Sequence, residues 1–273
     1  MVGQHGPEST VPLRDWNVRI NRGILTGFNK AFIINEEIRQ DLIRKSPKNA
    51  EIIRPILKGR NIKKYDVEFD NLWVIFTRRG IAIDEYPAIK DYLYAHYEDL
   101  KPKVGNDATG RKPGTYKWYE IQDNVAYYND FEKDKIVWLE LTDKPKFAYD
   151  NQKFFIEATA FIMTGDNLKF LTVFLNSRLC EWYFDKITTT SGVGTNRWKK
   201  VYIENIPVPK LRKEQLDMFS HYLDNLLDLQ KENSDTSELE AEINNAIYQL
   251  YPLESFEIEL VQGTNVPRYN DEA

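Results

Sequence analysis

Four clusters of basic and aromatic residues carry most of the chemistry legible in this sequence. Lys58, Arg60, Lys63, Lys64 and Tyr65 form the first, and Arg78 and Arg79, just before Gly80, form the second. The third comprises Arg111, Lys112, Tyr116, Lys117, Trp118 and Tyr119. The fourth is Arg197, Trp198, Lys199 and Lys200, which follow a polar loop holding Thr189, Thr190, Ser191 and Asn196. Lys and Arg neutralise phosphates and release their counterions. A guanidinium fork matches the guanine edge, and short Thr, Ser and Asn side chains can meet base edges. Aromatic rings stack on planar groups or pack beneath the charged arms. Trp118 and Trp198 can equally be core anchors. Arg78 and Arg79 point to opposite sides of an extended chain, so one of them at most is expected to face a ligand while the other pairs internally.

Other chemistries lack their residues. There is no G-x-S-x-G and no G-x-x-x-x-G-K-[ST]. SGVGTN at 191–196 has two close glycines without the helix and downstream acid of a dinucleotide site, and reads as a flexible loop. His5, His96 and His221 are far apart, with no ligand spacing, so no metal site is expected. Glu36/Glu37 and Asp84/Glu85 read as helix-start or solvated charges. Neither a Pro-Asp…Glu-x-Lys nuclease constellation nor an Asn-Pro-Pro-Tyr loop occurs.

Charge is distributed unevenly. The chain of 273 residues has a formal net charge of −5, which argues against an anionic partner. Yet residues 214–273 hold fourteen Asp and Glu against Lys231 and Arg268, leaving 35 basic and 28 acidic residues in 1–213. A basic body with an acidic end is a different object from a mildly acidic globule. The lone Cys180 lies in an apolar run and points to a reducing compartment, with cytoplasm as the expectation. No apolar run is long enough to span a bilayer.

The elements that must position the clusters read as α+β. Trp16, Val18 and Ile20 alternate as a strand, Gly23 and Gly27 turn the chain, and Ala31–Ile34 reads as a second strand. Asn35 caps a helix whose apolar face is Ile38, Leu42 and Ile43, stopped by Pro47. A short helix is predicted over Ala50–Leu57, a strand over Leu72–Thr77, and a helix over 86–100 with Ile89, Leu93 and Tyr97 on one face. Lys101–Gly114 is a loop, Lys135–Leu141 a strand, and Phe147–Tyr149 with Phe154–Met163 more sheet. One helix opened by Asp166 is expected to run to Phe184. After IPVPKL, Leu216, Phe219, Leu223 and Leu226, then Leu239, Ile243, Ala246 and Leu250, recur at helical spacing on two arms of a hairpin.

Taken in order, IRPILKGRNIKKY, LWVIFT, GTYKWYEIQDN, FEKDKIVWLEL, FLTVFLNSRLCEWYF and RWKKVYIENIPVPKL resemble the TaqI-like C-terminal specificity domain of adenine-specific DNA methyltransferases and fused type IIG restriction-modification enzymes. KEQLDMFSHYLDNLL is similar to the spacer helices of type I specificity subunits, and NNAIYQLYPL to a closing motif of the fused enzymes. The resemblance spans roughly residues 17–252. It implies a mixed-sheet target-recognition domain followed by a helical hairpin, reading double-stranded DNA while separate domains do the chemistry. S-adenosylmethionine and Mg would then belong to those domains, with no cofactor in this chain. Contact residues in the family vary with the target, so none is carried over.

The expected division is 14–210 for DNA target recognition, 211–252 for a spacer or docking hairpin, and 253–273 for a polar tail that frays. The chain is expected to be a fragment of a longer enzyme, inactive on its own and partnered with a methyltransferase or nuclease domain through the hairpin. The alternative is an interaction or regulatory module that does not itself bind DNA, which charge reversal at Lys199 and Lys200 would distinguish. A self-contained nuclease has the least support.

Overall fold

The computed structural model describes residues 10–188, 196–251 and 253–263. Its strands are β1 (Thr10–Pro12), β2 (Val18–Arg22), β3 (Ile33–Asn35), β4 (Ile53–Leu57), β5 (Leu72–Ile75) and β6 (Lys135–Leu139). They continue with β7 (Leu141–Thr142), β8 (Phe147–Asp150), β9 (Phe155–Ile156), β10 (Ala160–Gly165), β11 (Asn196–Arg197) and β12 (Pro207–Pro209). The helices are α1 (Asn29–Phe32), α2 (Glu36–Lys45), α3 (Pro87–Tyr94), α4 (Tyr97–Leu100) and α5 (Leu168–Leu175). They end with α6 (Arg178–Ile187), α7 (Lys200–Ile203), α8 (Lys213–Lys231), α9 (Ser237–Tyr248) and α10 (Ser255–Gln262).

The antiparallel sheet β2-β10-β6-β8 separates two hydrophobic cores. Successive side chains on a strand point to opposite faces, so each strand feeds both sides. Val137 and Ala148, with Ala160 and Ile162, enter the first core. Ile136, Trp138, Phe147 and Met163 enter the second. A second sheet, β3-β5-β4-β9, roofs the first core and is mixed, because β4 pairs β9 in parallel and β5 antiparallel. The α+β reading with a mixed sheet and helices at the C-terminal end is what the structure shows.

The hairpin is α8 and α9. Its apolar face, with Phe219, Leu223, Leu226, Ile243 and Ile247, closes the second core together with Phe170, Phe174 and Trp198 from the body. Lys169 bonds both carboxylate oxygens of Asp224 at 2.7 Å across the same seam. Strand β1 pairs antiparallel with β12, tying the start of the described chain to the segment before the hairpin. No helix among the described residues is long and apolar enough to cross a membrane.

Four local expectations are corrected here, beside the break of the helix predicted over 86–100 into α3 and α4 at Ala95 and His96. Ala50–Leu57 is not a helix: a 3-10 turn over Pro47–Ile52 leads into β4, where Pro55 is unsuited to a helix interior and the β-branched Ile53 and Ile56 pair with β5 and β9. Ala31–Ile34 splits into the turn α1 and the strand β3. The helix expected from Asp166 to Phe184 is two helices, α5 and α6. Asp166 instead accepts a hydrogen bond from Asn17, and Asn167 opens α5 at a positive φ of 54°. At the break, the Asn176 side chain takes both backbone bonds of Phe147, and Ser177 caps α6 by accepting from the Cys180 amide. The tail is the fourth: α10 forms within it, with the Glu257 carboxylate accepting from the Glu254 amide.

One glycine is essential to the seam between the sheets. A Cβ on Gly23 would lie 2.2 Å from the Glu157 carbonyl oxygen and 2.6 Å from that of Ile156, both backbone atoms that cannot swing aside. Gly23→Ala is expected to cost about 1–3 kcal/mol, read as a lower urea midpoint at unchanged m-value.

Candidate nucleic-acid interface

The sheet register sorts the clusters into two groups. Ile53 at the start of β4 lies opposite Ile75 at the end of β5, so Arg78 and Arg79 emerge at that end. Leu57 at the other end of β4 leads to Lys58 and Gly59, and a Cβ on Gly59 would lie 2.6 Å from Leu139 at the end of β6. There, Glu140 accepts from the Trp198 amide and β11 pairs with β7, placing Arg197 opposite Leu141. The first and fourth clusters therefore share one end of β4, and the second and third share the other. A strand of this length separates the ends by roughly 15 Å.

At the Arg78 end, the sequence alternation holds. Arg78 is exposed, with its guanidinium 4.5 Å from the Tyr128 ring centroid. Arg79 turns inward and donates to the Ile121 and Gln122 carbonyls at 2.5 Å each, with Glu120 at 3.7 Å.

Arg111 and Tyr116, expected at the contact surface, are buried in this arrangement. Arg111 is 3% exposed and donates to the carbonyls of Leu100, Thr26, Glu120, Lys117 and Trp118. Burial pushes its guanidinium down to about 10, which leaves it charged near neutrality. The Tyr116 ring lies 4.3 Å from the Arg111 guanidinium and 5.1 Å from that of Arg79, and its hydroxyl donates to the Lys112 carbonyl. Gly27, at φ 81°, lets the backbone pass this close, because a Cβ there would meet Arg111 Cδ at 2.8 Å. This internal hub leaves Lys112 and Lys117 exposed on the outside of the loop.

At the other end, Arg60 is exposed but holds Asp70 at 2.7 Å, and Lys63 holds Glu68 at 3.2 Å. The Asp70 carboxyl is kept low by the Asn61 amide and then by Arg60. Lys64 is committed to the hairpin: its ammonium donates to Glu240, and Gln230 donates to its carbonyl at 3.0 Å. Trp198 is fully buried, stacked on Phe184 at 3.7 Å and 4°, while Trp138 Nε1 donates to its carbonyl at 2.9 Å. It is a core anchor. Arg197 is exposed and Lys199 half-buried, whereas Lys200 donates to the Ile20 carbonyl at 3.1 Å and pairs with Glu204. Thr189, Thr190 and Ser191 lie outside the described residues. Asn196 is described only as a residue of β11.

Sequence reasoning missed the cleft of about 560 Å³ beside Arg78, lined also by Arg54, Tyr86, Tyr128, Glu132 and Arg79. Arg54 pairs with Glu132 at 3.6 Å, and Tyr86 donates to Glu51 at 2.9 Å. Arg54 sits inside an apolar strand segment, and only the correct strand assignment would have turned it outward. Among the described residues, no group of three or more His, Cys, Asp or Glu is placed to hold a metal ion.

The model of the TaqI-like C-terminal specificity domain family matches residues 54–208, a span that takes in all four clusters. The chain is 20% identical over 234 residues to a type II methyltransferase, M.MjaIV, of Methanocaldococcus jannaschii, covering 84% of this chain and 77% of that protein. Its fold is similar to part of the type IIL restriction-modification enzyme MmeI, solved in complex with DNA, with a TM-score of 0.57 and 12% identity. That likeness takes in 97% of this chain and 34% of the MmeI chain. The type IIG restriction endonuclease BpuSI matches at a TM-score of 0.49 and 14% identity over 89% of this chain and 32% of its own. The chain thus spans about a third of the length of these solved enzymes.

Proposed function

Because the chain belongs to the TaqI-like C-terminal specificity domain family, we propose that it reads double-stranded DNA for a restriction-modification enzyme and positions that DNA for a methyltransferase or nuclease domain supplied elsewhere. The observation that carries this reading is the sorting of cations. Arg79, Arg111, Lys64 and Lys200 are spent on internal bonds, whereas Arg78, Lys112 and Lys117 on loops and Arg197 on β11 are exposed and join no ion pair among the described residues. An exposed cation with no carboxylate to give up gains the full benefit of a phosphate.

Arg78 lies beyond the Ile53 end of β4 and Arg197 beyond its Leu57 end, so the exposed cations are presented at two separate places. In this reading residues 14–210 do the reading, and the acidic outer side of α8 and α9 within 211–252 faces the catalytic partner. S-adenosylmethionine and Mg belong with that partner.

The test is anisotropy titration of a labelled duplex across a salt series. Wild-type affinity should fall linearly in log–log form. Arg197→Ser and Lys112→Ser should each weaken binding on every duplex and reduce the salt slope by about 1. Binding that ignores salt, or survives both substitutions together unchanged, would sink the proposal.

A further inference from the structure

We propose that Tyr94, Tyr97, Trp118 and Tyr119 form a stacking platform for an unpaired nucleobase of a single-stranded DNA segment, a role that deepens the DNA-recognition reading and rests on it. Tyr94 ends α3 and Tyr97 begins α4, and the helix break between them turns both rings away from the core that Leu93 and Leu100 enter. The Tyr94–Tyr97, Tyr94–Trp118 and Tyr97–Trp118 ring centroids are each 5.5 Å apart, and Trp118 meets Tyr119 edge-on at 5.4 Å. At these distances the rings fill the space among themselves, so the group is not a cage for a cation. What it offers is its outer face, where Tyr94 is 62% exposed.

Three further features suit a nucleotide. The cluster is held stiffly, since the Trp118 carbonyl accepts from Arg111 at 3.0 Å. Exposed Lys112 and Lys117 stand on the same loop, with the Lys117 ammonium 5.6 Å from the Tyr119 ring, which provides for the phosphates beside a stacked base. Two of the carboxylates on the neighbouring elements, Asp84 and Glu98, are paired with Lys90 and Lys101. A paired base has both faces covered by its neighbours, so a ring platform of this kind accepts only a base that has left the stack.

The test uses the whole chain, with an oligothymidine of about 15 nucleotides and a duplex as probes. Tryptophan emission should be quenched by the oligothymidine, and Trp118→Phe should abolish that quenching. Tyr94→Ala, at an exposed position where folding is not at stake, should weaken oligothymidine binding by about tenfold while leaving duplex affinity unchanged. Quenching that persists in Trp118→Phe, or oligothymidine binding unchanged in Tyr94→Ala, overturns the platform. A chain that binds the duplex with salt dependence but never the oligothymidine also overturns it, and leaves the recognition reading intact. Quenching by oligothymidine without any duplex binding has the opposite meaning: the platform stands and duplex recognition fails.

Discussion

Arg111→Met is expected to lower the unfolding free energy by about 3–5 kcal/mol, because it removes a buried charge together with its bonds to carbonyls drawn from three separate stretches of chain. Thr26 lies in the first turn after β2, Leu100 ends α4, and Lys117, Trp118 and Glu120 belong to the loop itself. The Thr26 and Lys117 carbonyls keep the Gln122 and Glu120 amides as donors, but those of Leu100, Trp118 and Glu120 lose the Arg111 bond beside a side chain only 3% exposed, and each then costs its desolvation. Arg111→Lys should recover little. An ammonium has three donors on a point, whereas the guanidinium spreads five over a plane that these carbonyls surround. Urea unfolding measures the loss. Hydrogen exchange locates it, because the Ile121 and Gln122 amides, which bond to Thr77 and Thr26, should lose protection first. DNA affinity should fall as well, through misplaced Lys112 and Lys117. The contrary result would be a variant as stable as wild type with only its DNA binding lost. Arg111 would then be the contact residue that the sequence suggests.

That contrast shows what was legible and what was not. Residue type placed Arg111 and Lys112 in one cluster and gave no reason to separate them. The separation comes from carbonyls up to 85 residues away and from Gly27, whose missing Cβ lets Arg111 through. Where the deciding fact is local, the sequence succeeds. The two-residue period of a strand exit sends Arg78 and Arg79 to opposite sides, without saying which faces out, and the 3-and-4 spacing of Leu216, Phe219, Leu223 and Leu226 gives α8. Ile52, Ile53, Ile56 and Leu57 also fit that helical spacing, but partners from β5 and β9 made the segment a strand. Tyr97 looked like the continuation of the Ile89–Leu93 face. The break at Ala95 and His96 turned it outward, and with it the platform that the sequence hid.

Lys135→Met should produce a loss of similar size, about 3–5 kcal/mol, by stranding Asp150 without its cation. The two residues are direct partners in the β6–β8 ladder, fully buried, with Lys135 Nζ 2.6 Å from the carboxylate. Burial pushes the lysine down and the aspartate up. Their mutual contact opposes this, as do the Phe131 carbonyl accepting from the lysine at 2.8 Å and the Gln152 and Phe154 amides donating to the aspartate. A pair this dry is a costly way to gain stability, and its value lies in register. Slipping β6 by one residue would send Ile136 and Trp138 into the first core and Val137 into the second, and would part Lys135 from Asp150. Since β6 ends at Leu139 beside Gly59 and leads to Glu140, which holds Trp198, the same register sets where Arg197 is presented. The double variant Lys135→Met/Asp150→Asn removes the stranded charge and should recover about 1–3 kcal/mol of the single-variant loss. A single variant within about 1 kcal/mol of wild type, or a double variant no better than the single, would show that the pair does not fix the ladder.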